Sequence, residues 1–456
     1  MSASYDTRVN KFSSAAKIAI AFAICLTLVC TNAQNATAQF NLTNGVVGGV
    51  NISPDGVLMG SRKALPKEVL EQLRENLSNG TADMDKAGTR MVSVKGLESA
   101  WRQGVANGDV PAAVRYMAGL QRIEYVIRHE DDIIIAGPAE PFHADKDGNV
   151  VGKESGMPVL HTEDFIIALR HANDARQGKG ISVSIDPTEA GVRNYQNLVN
   201  KMRKKGVGFN PRLAPKFEEA YGPQTISLTG IPKNSRFAQT LVSADYKMKR
   251  LAMGLEKAPG FLPSLMAMAK SKNGGLQGAP RFWMECNYEP VSVSADNKVW
   301  KLSGTGVKTM TDATRFNADG TKKSTGKQNR LAKKWADTMT EKFAELSKIE
   351  PVFRELRNLM DLSVVAAIIT KEGMTKQVSL PAVESPKVST SEFNVPSKVP
   401  SQCSFVHLSG GWMFTASGGV SVDSWKVASS TKVDASLDGM VAKSNPTNDR
   451  WWWNAK

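Results

Sequence analysis

The sequence predicts a mixed α/β (α+β) fold: a mixed sheet layered with helices, a late helical hairpin and a small β-rich C-terminal tail. Three observations carry this expectation. Strand-like alternation and helix-like 3–4 spacing take turns through residues 120–310, which argues for layers of both kinds. Residues 123–137 read as an antiparallel hairpin, which a uniformly doubly wound parallel sheet would not contain. Two adjacent helices, at about 327–347 and 351–371, form the late pair, with Pro351 opening the second.

The elements follow in order. Arg8, Lys11 and Lys17 precede an apolar run, and Ala36-Thr37-Ala38 matches the A-x-A pattern of an export signal cleaved before Gln39. The run Ile18–Cys30 has 13 residues, short of the ~20 that span a bilayer. Val29 stands where a lipobox needs a small residue before Cys30. Residues 39–60, with Asn44-Gly45 and Asp55-Gly56, read as short hairpins or a loose leader. Leu65, Val69, Leu70, Leu73 and Leu77 predict a helix over 63–77, and Leu97, Trp101 and Val105 another over about 97–119.

Ile123, Tyr125 and Ile127 alternate, a charged turn follows, and Ile133–Gly137 is apolar throughout, as in a strand buried on both faces. A helix at 162–175 presents Phe165, Ile166, Leu169 and Ala172. Ile181, Val183 and Ile185 then lead into Asp186-Pro187-Thr188-Glu189, with Asp186 read as the N-cap of a helix that stops at Gly206. After a strand at 225–229, a helix over 235–256 carries the stripe Phe237, Leu241, Ala244, Met248, Leu251 and Leu255. Its Asp245 and Lys249 have the i, i+4 spacing of an exposed ion pair. Strand-like pieces at 282–294 and 298–309 precede the helical pair.

The expected organisation is a signal peptide (1–38), a leader and helix (39–95) and a mixed α/β domain (96–376). A Pro/Ser-rich extended linker (377–402) and a small β-rich tail (403–456) complete it.

Composition bounds the function. At 41% apolar and 22% charged residues the chain is globular rather than disordered. Loss of the leader, with three basic residues and one acid, takes the formal net charge from +14 to +12. In an exported protein this excess points to an anionic envelope polymer or surface rather than nucleic acid, with a merely solvated basic face as the alternative. Arg203, Lys204 and Lys205 are the candidate anion-binding residues, although cations at a helix C-terminus also suit its dipole. Cys25 and Cys30 leave with the leader. Cys286 and Cys403 remain as a candidate disulfide, or as two buried thiols.

No catalytic residue is assigned. The chain has no G-x-S-x-G, no H-E-x-x-H and no G-x-x-x-x-G-K-[ST]. Ser324-Thr325-Gly326-Lys327 matches S-x-x-K, a weak pattern with no K-T-G partner. His129, His143, His161 and His171 lie near several aspartates, but their spacing does not share a helix face. Asp145-x-Asp147-Gly148-Asn149 begins like a calcium loop, yet Gly156 stands where the closing glutamate belongs. No metal and no cofactor are expected.

Five segments together carry a resemblance: Leu120–Phe142, Gly156–Arg170, Ser184–Gly191, Arg236–Glu256 and Phe353–Ile369. They resemble a planctomycete family of exported proteins defined by a domain of unknown function, over roughly residues 95–375. The resemblance implies export and a bacterial envelope setting and brings no activity or site residues. The expected role is a non-catalytic binding or structural component of the envelope; the alternative is a hydrolase acting on an envelope polymer.

Overall fold

The computed structural model describes residues 46–47, 50–52, 58–59, 67–81, 83–208, 210–271, 279–316, 322–324, 329–376, 378–384, 395–406, 412–414, 417–447 and 449–455. The export signal lies outside them, as does all of the S-x-x-K motif except Ser324.

In chain order the first half builds α1 (Lys67–Gly80), β1 (Ala87–Ser93), α2 (Val94–Asn107), β2 (Tyr125–Arg128) and β3 (Ile133–Ala139). It continues with α3 (Thr162–Arg176), β4 (Ile181–Asp186), α4 (Glu189–Lys204), α5 (Ala214–Tyr221), β5 (Gln224–Thr229) and α6 (Arg236–Met253). The second half opens with α7 (Leu265–Ser271), β6 (Ala279–Asn287), β7 (Val291–Val293), β8 (Val299–Lys301), β9 (Gly306–Phe316) and β10 (Lys322–Ser324). Then come α8 (Arg330–Glu341), α9 (Phe343–Ile349), α10 (Pro351–Lys371), β11 (Lys398–Val399), β12 (Ser417–Val422), α11 (Ser424–Ser429), β13 (Thr431–Val433) and β14 (Trp452–Asn454). The fold is mixed α+β.

Two seven-stranded sheets organise the chain, with strand orders β10-β9-β6-β12-β4-β5-β11 and β13-β7-β8-β2-β3-β1-β14. The predicted hairpin is there, antiparallel with Ile127 opposite Ile134. Its sheet is cored by Met91, Ile127, Ile134, Ala136, Val299 and Trp453. In the other sheet α6 lies on β4 and β12, and α10 packs on α6 and α3.

The long helix starts and stops as its ends dictate. The Ser235 hydroxyl accepts the Ala238 N–H at 3.1 Å, and Gly254 closes the helix in the left-handed conformation that favours glycine. Phe237, Leu241, Ala244, Met248 and Leu251 are all buried.

Several local expectations are corrected. The helix over 97–119 is broken: Gly108 ends α2 in a left-handed cap, and Pro111 then precedes a separate turn at Ala112–Arg115. The cap of α4 is Thr188, whose hydroxyl accepts the Gly191 N–H, while Asp186 ends the strand. The described ends of the expected extended linker are packed rather than loose, with Val378, Leu380, Ala382, Val395 and Val399 buried. Ala382 donates its N–H to Glu98 (2.7 Å) and accepts from Arg170 (2.6 Å), and Val399 pairs with Gln224. Proline removes donors there, but the apolar residues between the prolines still anchor the chain.

The expected small tail is not a separate unit; Thr43–Lys456 is one compact unit. β12 runs parallel to β6 and antiparallel to β4, inside the sheet. Glycine makes the insertion possible. A Cβ on Gly418, at φ +148°, would sit 1.4 Å from the Phe282 carbonyl oxygen, and one on Gly419 would sit 1.9 Å from that of Val183. β14 pairs with β1 at the edge of the other sheet, where Arg90 lies 4.7 Å over the Trp452 ring and donates to Asn454 at 2.9 Å.

Candidate functional site

Two regions gather chemistry: a buried layer of ion pairs along α6, and an open cavity at its C-terminal end.

The ion pairs come from polar positions that a 3.6-residue repeat places around the apolar stripe. Arg236, in the first turn of α6, holds Asp164 of α3 and Glu355 of α10 at once, with all three side chains at most 10% exposed. Burial pushes the Asp164 carboxyl up to about 6, against the pull of Arg236. His161, just before α3, stacks edge-on against Tyr116 at 5.0 Å. Its half-buried imidazole titrates well below the usual range, through desolvation first and then the nearby Arg236 and Arg115 cations.

About two and a half turns further along α6, Asp245 pairs with Lys249 at 2.6 Å. The sequence reads this as an exposed pair; the structure buries it, with the two side chains 0% and 5% exposed. The Lys249 ammonium also donates to the carbonyls of Ile185 (2.9 Å) and Gly418 (3.3 Å), which tie α6 to β4 and β12. Burial raises Asp245 to about 6 and lowers Lys249. Nearer the surface, Glu256 holds both Lys247 and Arg250. A further buried carboxylate, Asp361 on α10, accepts from Tyr288 (2.6 Å) and pairs with Arg122 (3.2 Å).

The cavity has a volume of about 430 Å³ and opens to solvent. Its wall is built from Ala214 at the start of α5, Met253 and Leu255 at the end of α6, Met266 and Lys270 on α7, and Cys403. Two hydroxyls join them, both engaged. Ser404 donates to the Met253 carbonyl at 2.7 Å, and Ser264 accepts the Ala267 N–H at 3.1 Å. Cys403 also packs inward against Met202 and Phe217, and burial pushes its thiol up to about 12.

The residues singled out from sequence fall as follows. Arg203 and Lys204 end α4 and Lys205 caps it, all three exposed, while Met202 just before them turns inward onto Phe217 and Cys403. The two cysteines are both free thiols, so the candidate disulfide is not formed. Cys286 sits in β6 with its sulfur 3.4 Å from that of Met360, in surroundings unlike those of Cys403. The histidines do not converge: His129 meets Ser444 at 2.7 Å and His171 lies by Asp174 at 3.5 Å. Asp145 folds its own loop, accepting the N–H groups of Asp147 and Asn149 in a hairpin turn. No group of three metal-ligating side chains occurs among the described residues. No helix among them is long and apolar enough to cross a membrane.

Sequence reasoning missed the cavity. Its available signal was the methionine-rich stretch after the helix stop at Gly254, with Met266 and Met268 following two prolines. No curated protein and no solved structure matches the chain. Residues 183–265, from β4 through α6 and including the cavity residues Ala214, Met253 and Leu255, match the model of a family described as a protein of unknown function, DUF1598.

Proposed function

We propose that this is an exported, non-catalytic binding component of a bacterial envelope, of the planctomycete kind its motifs resemble, and that its ligand enters the cavity at the end of α6. The observation that carries the reading is how the cavity's polar groups are used. Hydrolysis by a side-chain nucleophile needs that group within reach of a base. Here the Ser404 hydroxyl is given to a backbone carbonyl, Ser264 caps a turn, and the Cys403 thiol stays protonated at neutral pH. The carboxyls whose affinity for protons is most altered, Asp164 and Asp245, are buried, the first between helices and the second against the sheet, and neither lines the cavity. A binding site asks less: a concave wall of about 300–1,000 Å³ that sets apolar surface beside fixed polar groups, and this cavity offers the two in similar measure. The basic leader, the short apolar run and the A-x-A site support export.

The test is native mass spectrometry of the protein purified from the envelope of its own cells, beside a variant at the lining residue Ala267, Ala267→Trp, that puts a large ring into the cavity. A small molecule retained by the wild type and lost from the variant is the expected result. Conversion of that molecule to smaller products on incubation would instead establish the hydrolase.

A further inference from the structure

Resting on the cavity as the binding site, we infer that its ligand is a single-chain amphiphile with an anionic head, carboxylate or phosphate. The wall mixes polar and apolar surface, and its soft apolar part would take the chain. Met253, Leu255, Met266 and Ala214 line it, and methionine side chains adjust to flexible apolar ligands at little cost. The head group is specified by charge. Lys270 is the one charged side chain among the lining residues, and it is exposed at the end of α7. Arg212, also exposed, lies between the lining residues Pro211 and Ala214.

Two of the nearby acids are tied to other groups. Glu218 accepts the Cys403 N–H at 2.9 Å, and Glu256, next to Leu255, holds Lys247 and Arg250. The described lining therefore sets one cation, Lys270, beside the apolar side chains of Met253, Leu255 and Met266, a pairing that attracts an anionic head while the chain leaves water. An uncharged apolar ligand would leave Lys270 with nothing to bind. A cationic one would be repelled.

Isothermal titration calorimetry on the full chain tests this with four probes sharing one ten-carbon chain: decanoate, decyl phosphate, decanol and decyltrimethylammonium. Decanoate and decyl phosphate should bind, and the tighter of the two identifies the head. Decanol should bind about tenfold more weakly, since a hydrogen bond to a charged group is worth about that factor. Shortening decanoate to octanoate should cost up to about fourfold per methylene removed. Lys270→Gln should bring decanoate down to the affinity of decanol, and its exposed position leaves the fold undisturbed. Decanol matching decanoate on the wild type, or Lys270→Gln changing nothing, would overturn the anionic head while leaving the cavity as a binding site. If no probe binds wild type better than Ala267→Trp, the cavity reading itself fails.

Discussion

Arg236 carries one positive charge and faces two carboxylates, Asp164 and Glu355, in a place water does not reach. Deleting the cation strands both acids. Arg236→Ala should therefore cost about 3–5 kcal/mol or more in chemical denaturation, the usual toll of breaking a buried pair. The same triad predicts a pH effect. The folded Asp164 carboxyl, at about 6, lies above its unfolded value, so the folded state holds the extra proton between roughly pH 4 and 6. Its contribution is present below that window and is lost as pH rises through it. His161 works in the opposite sense, because an imidazole lowered by burial loses stability as pH falls. Comparing Asp164→Asn with wild type separates the two. The variant should gain on wild type in urea midpoint when pH moves from 5 to 7; a constant difference would show that Asp164 does not titrate there. Leu241, fully buried in the stripe, should cost about 2–5 kcal/mol on truncation to alanine, read from the same curves.

At the scale of elements, α6 shows what a sequence can and cannot disclose. Its apolar stripe was legible because 3–4 spacing has one common cause, a buried helix face. Its polar face was not. Asp245 and Lys249 look alike whether the pair meets solvent or strand carbonyls, since Ile185 and Gly418 are remote in the chain. The cavity was hidden for the same reason, being assembled from residues near 211–214, 253–270 and 403–404. Caps were nearly legible: the sequence offers Asp186 and Thr188 two residues apart, and only the strand register of β4 decides for Thr188. The end of α4 supplies a separate test of the basic charge. Replacing Arg203, Lys204 and Lys205 together with alanine should leave the melting temperature unchanged, because their side chains are exposed. Retention on an anionic polysaccharide column should fall slightly, and more at low salt than at high. Identical elution across the gradient would reduce the three to helix-end charges.

For the whole molecule, the strand 417–422 completes one large sheet and the strand 452–454 the other, so the C-terminal segment cannot be trimmed as an appendage. A chain ended at residue 400 should fail to melt cooperatively in calorimetry, whereas a detachable tail would leave the main transition intact. The processing site makes a second prediction at this scale: Edman sequencing of the native protein should begin at Gln39, and an intact Met1 or Ser2 would withdraw the export proposal.

The buried position of β12 also sets a clock. β4 ends at residue 186 and its neighbour β12 begins at residue 417, so the strand stays unpartnered on that side until some 230 further residues have been made. At the usual pace of synthesis this delay is on the order of ten seconds to a minute. During that interval Lys249 lacks the Gly418 carbonyl, and the β4 side of the gap lacks the strand that joins it to β6. The central sheet can close only after nearly the whole chain is available.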